Sequence, residues 1–103
     1  MSQSTTGRPQ RSAFSCPDPA DLDPVYEAGK RKGQAYARRY RKRGPLYLFA
    51  TERVLRGERN VWASLERWDE EARVRGMQHG VAKAHDELFG SASRNRLYEE
   101  GIA

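Results

Sequence analysis

Apolar residues recur at helical spacing from about residue 24 onward and only sporadically before it. Residues 1–23 hold Pro9, Pro17 and Pro19 and many Ser and Thr. Beyond Met1, their apolar content is Ala13, Phe14, Cys16, Ala20 and Leu22. Burial of so little cannot offset the entropy of ordering the segment. Residues 1–23 are therefore expected to form a disordered tail, and 24–103 a small helical domain. Arg8 and Arg11, with no acid through residue 15, also suit a transit peptide, but the Pro and Asp residues that follow favour a plain arm. Phe14 and Leu22 are the residues able to dock the arm on the domain or on a partner.

Four segments follow. Asp23 before Pro24 matches an N-cap followed by proline at the first helical position, with Glu27 in the first turn. Val25, Tyr26, Gly29, Gly33, Tyr36, Ala37 and Tyr40 then form a stripe about 120° wide at 100° per residue. That helix is expected to end at Arg43, stopped by Gly44-Pro45. A second segment, Pro45 to Arg56, ends at Gly57; its core Leu46-Tyr47-Leu48-Phe49-Ala50-Thr51 also fits a short buried strand. Helix is favoured because Leu46, Tyr47, Ala50 and Val54 share a face and no second strand is available for pairing. A third runs from Asn60, a good N-cap, to about Phe89. A short fourth, about Ala92 to Glu100, is capped by Ser91 or Ser93 and closed by Gly101. The chain holds only six Val and Ile residues, which further disfavours a sheet. The expected fold is all-α, with three to four helices.

The third segment is not a simple amphipathic helix. Val61, Leu65, Trp68 and Ala72 share one face, whereas Val74, Met77, Val81, Ala84 and Leu88 lie on nearly the opposite one. Either it breaks near Gly76–Gly80, or its halves pack on different neighbours. Unbroken, it would be roughly 43 Å long, a length suited to a dimer. A weak repeat points the same way: Gly29-x3-Gly33-x-Ala35-x-Ala37 recurs as Gly76-x3-Gly80-x-Ala82-x-Ala84, offset by 47 residues. Glycines four apart occupy one helical face and admit a second backbone closely. These four glycines and Trp62 are candidate partner-binding residues, and a homodimer is expected. Trp68 falls on the Val61–Leu65 face and reads as core; Trp62 is either core or a partner anchor.

Composition sharpens this picture. Leu, Ile, Val and Phe together number 16 of 103 residues and Ala alone 12, so close packing of small residues must replace aliphatic bulk. No stretch is apolar enough for a membrane span or signal peptide, so an intracellular, cytoplasmic protein is expected. The single cysteine, Cys16, excludes an internal disulfide framework and Cys-based zinc. Charge changes the picture most. Residues 1–29, 30–43, 44–73 and 74–103 carry −2, +8, −1 and 0, so the whole surplus of +5 comes from Lys30 to Arg43.

That run places Lys30, Arg31, Lys32, Arg38, Arg39, Arg41, Lys42 and Arg43 on the face opposite the glycine–tyrosine stripe. Like charges so crowded repel, and a polyanion would relieve them while gaining counterion release. Three partners suit it: nucleic acid, an acidic protein surface, or the chain's own Glu66, Asp69, Glu70 and Glu71; a merely solvated face is the remaining reading. Membrane attachment is disfavoured because the stripe lacks bulky apolar residues. Only Gln34 is placed for base reading, so backbone contacts with little sequence specificity are expected. Met77 to Gly101 partly resembles a helix-turn-helix, but its turn glycine falls two residues late, and Arg96 and Glu99 occupy positions where apolar packing is needed.

Catalytic chemistry finds no footing. His79 and His85 have no helical neighbours able to share a metal, and His85 and Asp86 are about 100° apart on a helix. Cys16 lacks a positioned base, and no glycine loop has the Lys-Ser/Thr ending that cradles phosphate. Glu66 and Glu70 read as a solvated face. The sequence thus predicts a non-enzymatic regulatory protein without cofactor or metal, associated with nucleic acid through residues 30–43. The alternative is a helical adaptor or inhibitor that binds a partner protein.

Overall fold

The computed structural model describes residues 19–100, and these are all-α. Helix α1 spans Pro19–Arg39 and is followed by a 3₁₀ turn, Arg41–Arg43. Helices α2, α3 and α4 span Pro45–Ser64, Trp68–Phe89 and Ser91–Glu99. The expected tail, with Phe14 and Cys16, lies outside the described residues up to Pro19.

Several boundaries differ from the sequence expectation. Helix α1 begins at Pro19 rather than after Asp23, with Asp21 in its first turn and Pro24 inside it. Pro24 forfeits one bond close to the helix start, where few turns depend on it. At its other end α1 stops at Arg39, and the last three cations lie in the 3₁₀ turn. The segment 46–51 is helix, not strand. Helix α2 continues through Gly57 and Asn60, because one glycine costs only about 1 kcal/mol in propensity. The opposite face of α2, which buries Leu48, Phe49, Glu52 and Leu55, outweighs that cost.

The change of face in the third segment is resolved by a break at residues 65–67; Gly76 and Gly80 lie within unbroken helix. The Arg67 N–H donates to the Trp62 carbonyl (3.0 Å) and the Glu66 N–H to that of Ala63 (3.0 Å). This is a Schellman closure, with Glu66 in the left-handed position (φ 58°) where glycine is usual. Val61 and Leu65 are consequently exposed rather than core.

The glycine repeat is the main joint of the fold. A Cβ at Gly29 would lie 2.2 Å from the Arg73 carbonyl oxygen, and one at Gly33 2.2 Å from that of Met77. Reciprocally, one at Gly76 or Gly80 would lie 2.1 Å from the carbonyl oxygen of Tyr26 or Lys30. Each glycine therefore faces the carbonyl three residues before the equivalent glycine of the other helix. Contacts advance together along both chains, so α1 and α3 run parallel and are related by a local twofold. With no side chain between them, glycine Cα–H groups point at carbonyl oxygens, a recurrent weak bond of helix interfaces. Fully buried Ala37 and Ala84 extend the seam.

Helix α2 packs antiparallel on the neighbouring side of α3. Arg59 donates to Gln78 (2.7 Å) and pairs with Glu71 (3.3 Å), while Leu48, Leu55, Val74 and Val81 form the shared core. Gly44 (φ 96°, ψ 169°) and Gly90 (φ 88°, ψ 145°) precede α2 and α4 in a conformation reserved for glycine. Arg94 fastens α4 through Asp86 (2.9 and 3.1 Å) and Glu52 (3.5 Å), and the Tyr98 hydroxyl donates to Glu52 (2.7 Å).

Candidate nucleic-acid interface

Because Gly29, Gly33 and Ala37 turn one side of α1 into the seam, the opposite arc must face outward. Arg31, Lys32, Arg38, Arg39, Arg41, Lys42 and Arg43 are exposed and Lys30 is half-buried. Reversal at Gly44 then holds the last three cations at the end of the molecule. The Arg43 N–H donates to the Tyr40 carbonyl (3.0 Å) and the Gly44 N–H to that of Arg41 (3.1 Å). Arg41 Nη1 donates to the Arg38 carbonyl (2.8 Å), where the negative end of the helix dipole favours a cation.

Three tyrosines brace this turn. The Tyr36 and Tyr47 hydroxyls are hydrogen-bonded at 2.6 Å, and the Tyr36 and Tyr40 rings lie 4.6 Å apart. Arg43 lies 5.3 Å from the Tyr40 ring and 5.0 Å from the Tyr47 ring, with Arg39 5.6 Å from Tyr40. These cation–π contacts orient the guanidinium groups without neutralising them. The bond to Tyr47, then burial, raises the Tyr36 pKa, so the hydroxyl stays neutral beside its cations.

Neutralisation within the chain is slight. Among the described residues, the ion pair reaching the run joins Arg38 to Glu87 (3.1 Å), and both side chains are about half exposed. Exposed pairs of this kind contribute little. Two of the acids expected to absorb the charge are taken elsewhere: Glu70 pairs with Arg73, and Glu71 with Arg59 and Arg75.

Other candidates are placed differently. Gly29, Gly33, Gly76 and Gly80 are buried against one another's helices, so the seam proposed for a partner is filled by the chain itself. Trp62 is half-buried against the core, donates to Glu58 (3.3 Å) and lies under Arg67. Trp68 is half-buried with its Nε1 enclosed and unpartnered. In α4, Arg94 is committed to Asp86 and Glu52, which removes it from any recognition surface. His79 bonds the Tyr26 hydroxyl at 2.9 Å, and burial, then Arg59, Arg75 and Lys30, lowers its pKa.

No protein-family model, curated protein or solved structure matches the chain. No group of three or more His, Cys, Asp or Glu side chains among the described residues is arranged to hold a metal ion. No described helix is long and apolar enough to cross a membrane.

Sequence reasoning found the cations but missed the tyrosine brace. Tyr36 and Tyr40 fall on the packing stripe of the sequence, and their four-residue spacing gives no hint of Tyr47 arriving from α2. Glu52 was also missed, because a lone acid in an apolar helix face gives no sign that Arg94 and Tyr98 come from α4.

Proposed function

We propose that the protein is a small, non-enzymatic, regulatory nucleic-acid-binding protein, acting as a homodimer. Its contact surface is formed by Lys30, Arg31, Lys32, Arg38, Arg39, Arg41, Lys42 and Arg43. The supporting observation is the concentration of seven exposed cations on one helix half and the turn after it, opposed among the described residues by a single exposed ion pair. A surface with fixed cations and no ordered array of amides or carboxylates suits phosphates rather than base edges. It therefore fits nucleic acid of many sequences.

Fluorescence anisotropy with random-sequence duplex and single-stranded probes over a salt series tests this directly. Each phosphate contact contributes about 0.9 to the slope of log K against log salt on duplex DNA. The Arg38→Ala/Arg39→Ala/Arg41→Ala variant should flatten the slope by about 3 and weaken all sequences alike. Absence of binding at low salt overturns the reading. An acidic protein surface would meet the same cations, and retention of a protein partner by an Arg38→Glu/Arg39→Glu/Arg41→Glu variant would favour that alternative.

A further inference from the structure

Helix α2 carries an apolar ridge that the other described residues do not cover. Ala50, Val54, Gly57, Val61 and Leu65 follow one another at three- and four-residue spacing, and Val54, Val61 and Leu65 remain 68%, 55% and 59% exposed. Gly57 belongs to this ridge. The four seam glycines each meet a backbone of the neighbouring helix, whereas a Cβ at Gly57 would meet nothing within 4 Å. Among the described residues, Gly57 serves no close approach of backbones.

Beside the ridge runs a groove. One hollow of about 330 Å³ is lined by Val25, Ala28, Gly29, Lys32 and Arg73. A second of about 210 Å³ lies between Gly33 and Tyr36 of α1, Met77 and Val81 of α3, and Val54 of α2. Val25, Ala28, Lys32 and Tyr36 recur at three- and four-residue spacing, so both hollows open on the same side of α1. A ridge and a groove adjoining on one face are what an isologous contact requires.

We propose that this face is the contact of a homodimer, in which α2 of each copy lies antiparallel to its counterpart and over the other's groove. The ridge reads nearly the same in both directions about Gly57. Ala50 and Ser64 are seven residues to either side, Val54 three before and Val61 four after. A twofold at Gly57 thus sets small residues at the crossing and valines beyond it.

Charge fixes the same register. The Arg59 bonds to Glu71 and Gln78 bring Gly57 near the level of Gly76, and the seam brings Gly76 level with Gly29. At 1.5 Å per residue, Glu58 of one copy then falls within about 3 Å in height of Lys32 of the other. Arg73, the other cation lining the groove, is already paired with Glu70. The antiparallel arrangement also separates the two basic turns by about 40 Å, far beyond the Debye length of roughly 8 Å at physiological ionic strength. A parallel one would bring them together.

The contact shares Lys32 with the proposed nucleic-acid surface, but its test reads mass in the absence of nucleic acid, so the two proposals fail separately. Sedimentation equilibrium of the full chain, under reducing conditions to exclude Cys16 disulfides, should show a monomer–dimer equilibrium. Val61→Asp should weaken it by about 100-fold, since a carboxylate would be buried unpaired. Unchanged far-ultraviolet circular dichroism would show that its fold is intact. Lys32→Glu and Glu58→Lys should each weaken dimerisation by about tenfold, and the double swap should restore it. A chain monomeric at every concentration, or a dimer indifferent to Val61→Asp, overturns the proposal. Failure of the double swap to restore association overturns the antiparallel register.

Discussion

Gly76 and Gly57 are both helical glycines, yet alanine should act on them in opposite directions. At Gly76 the new methyl would meet the Tyr26 carbonyl at 2.1 Å, so α1 and α3 must separate along the seam that joins them. Overpacking of this kind costs about 1–3 kcal/mol, and here the obstacle is backbone rather than a flexible side chain. At Gly57 the methyl enters open space, and in dilute, monomeric protein it should add about 0.5–1 kcal/mol through propensity and reduced unfolded-state entropy. Glu66→Gly should also stabilise, by about 1 kcal/mol, by relieving a side chain from left-handed backbone at φ 58°. Urea denaturation of the three variants checks all three signs. His85 supplies a pH dependence. It is fully buried against Phe89, and neither ring nitrogen has a hydrogen-bond partner. Burial, opposed by Asp86 and assisted by Arg94, lowers its pKa from 6.5. The unfolded chain therefore takes up a proton that the folded one resists. This contribution to stability is fully present above about pH 6.5 and is lost as pH falls below it. His85→Leu should flatten the fall in melting temperature between neutral pH and pH 5.5, leaving a slope from half-buried His79.

Among the elements, α4 depends most on polar contacts. It buries no residue fully, and its attachment runs through Arg94 and Tyr98 to Glu52, whose side chain is 4% exposed. Arg94→Ala would leave that carboxylate enclosed without its cation and deprive Asp86 of two hydrogen bonds. We expect a loss of about 2–4 kcal/mol, with hydrogen exchange rising first in α4 amides. The same elements show which physics a linear chain exposes. Helical class was legible because stripes recur every three to four residues and strand formers are scarce. The seam was legible as a Gly-x3-Gly repeat, but not its location: the pattern states that two backbones approach, not whether they belong to one chain or two. The α2–α3 boundary stayed hidden because its left-handed residue is Glu66 instead of the glycine that normally marks such a stop. Exposed Gly57 has the complementary effect, since a glycine reads as a stop in the sequence although it lies within α2. The cations of the candidate site were legible because charge needs no fold to be counted. Their separation from Glu70 and Glu71 was not, since it depends on those acids being taken by α2 and α3.

Over the whole molecule, the +8 run should give stability and binding opposite responses to salt. Where α1 passes into the 3₁₀ turn, Arg38 with Arg41 and Lys42, and Arg39 with Lys42 and Arg43, set four like-charged pairs at three- or four-residue spacing. Each costs a few tenths of a kcal/mol on a helical surface, for a sum of about 1 kcal/mol. Exposed charges are screened beyond roughly 10 Å at 0.1 M salt, so moderate sodium chloride should relieve much of the repulsion. For a domain of this size 1 kcal/mol corresponds to about 4–8 °C, and the melting temperature of the free protein should rise by a few degrees across the salt series. Over the same series, nucleic-acid affinity should fall steeply as counterion release loses its advantage. The Arg38→Ala/Arg39→Ala/Arg41→Ala variant separates these effects from general salt stabilisation. It removes all four pairs, so its melting temperature at low salt should exceed that of the parent and respond less to salt. Its affinity should be lower and likewise less salt-sensitive. If the parent melts at the same temperature throughout the series while the variant gains nothing, the like charges are already neutralised within the folded chain. The basic surface would then lack the unrelieved repulsion on which its attraction for a polyanion partly rests.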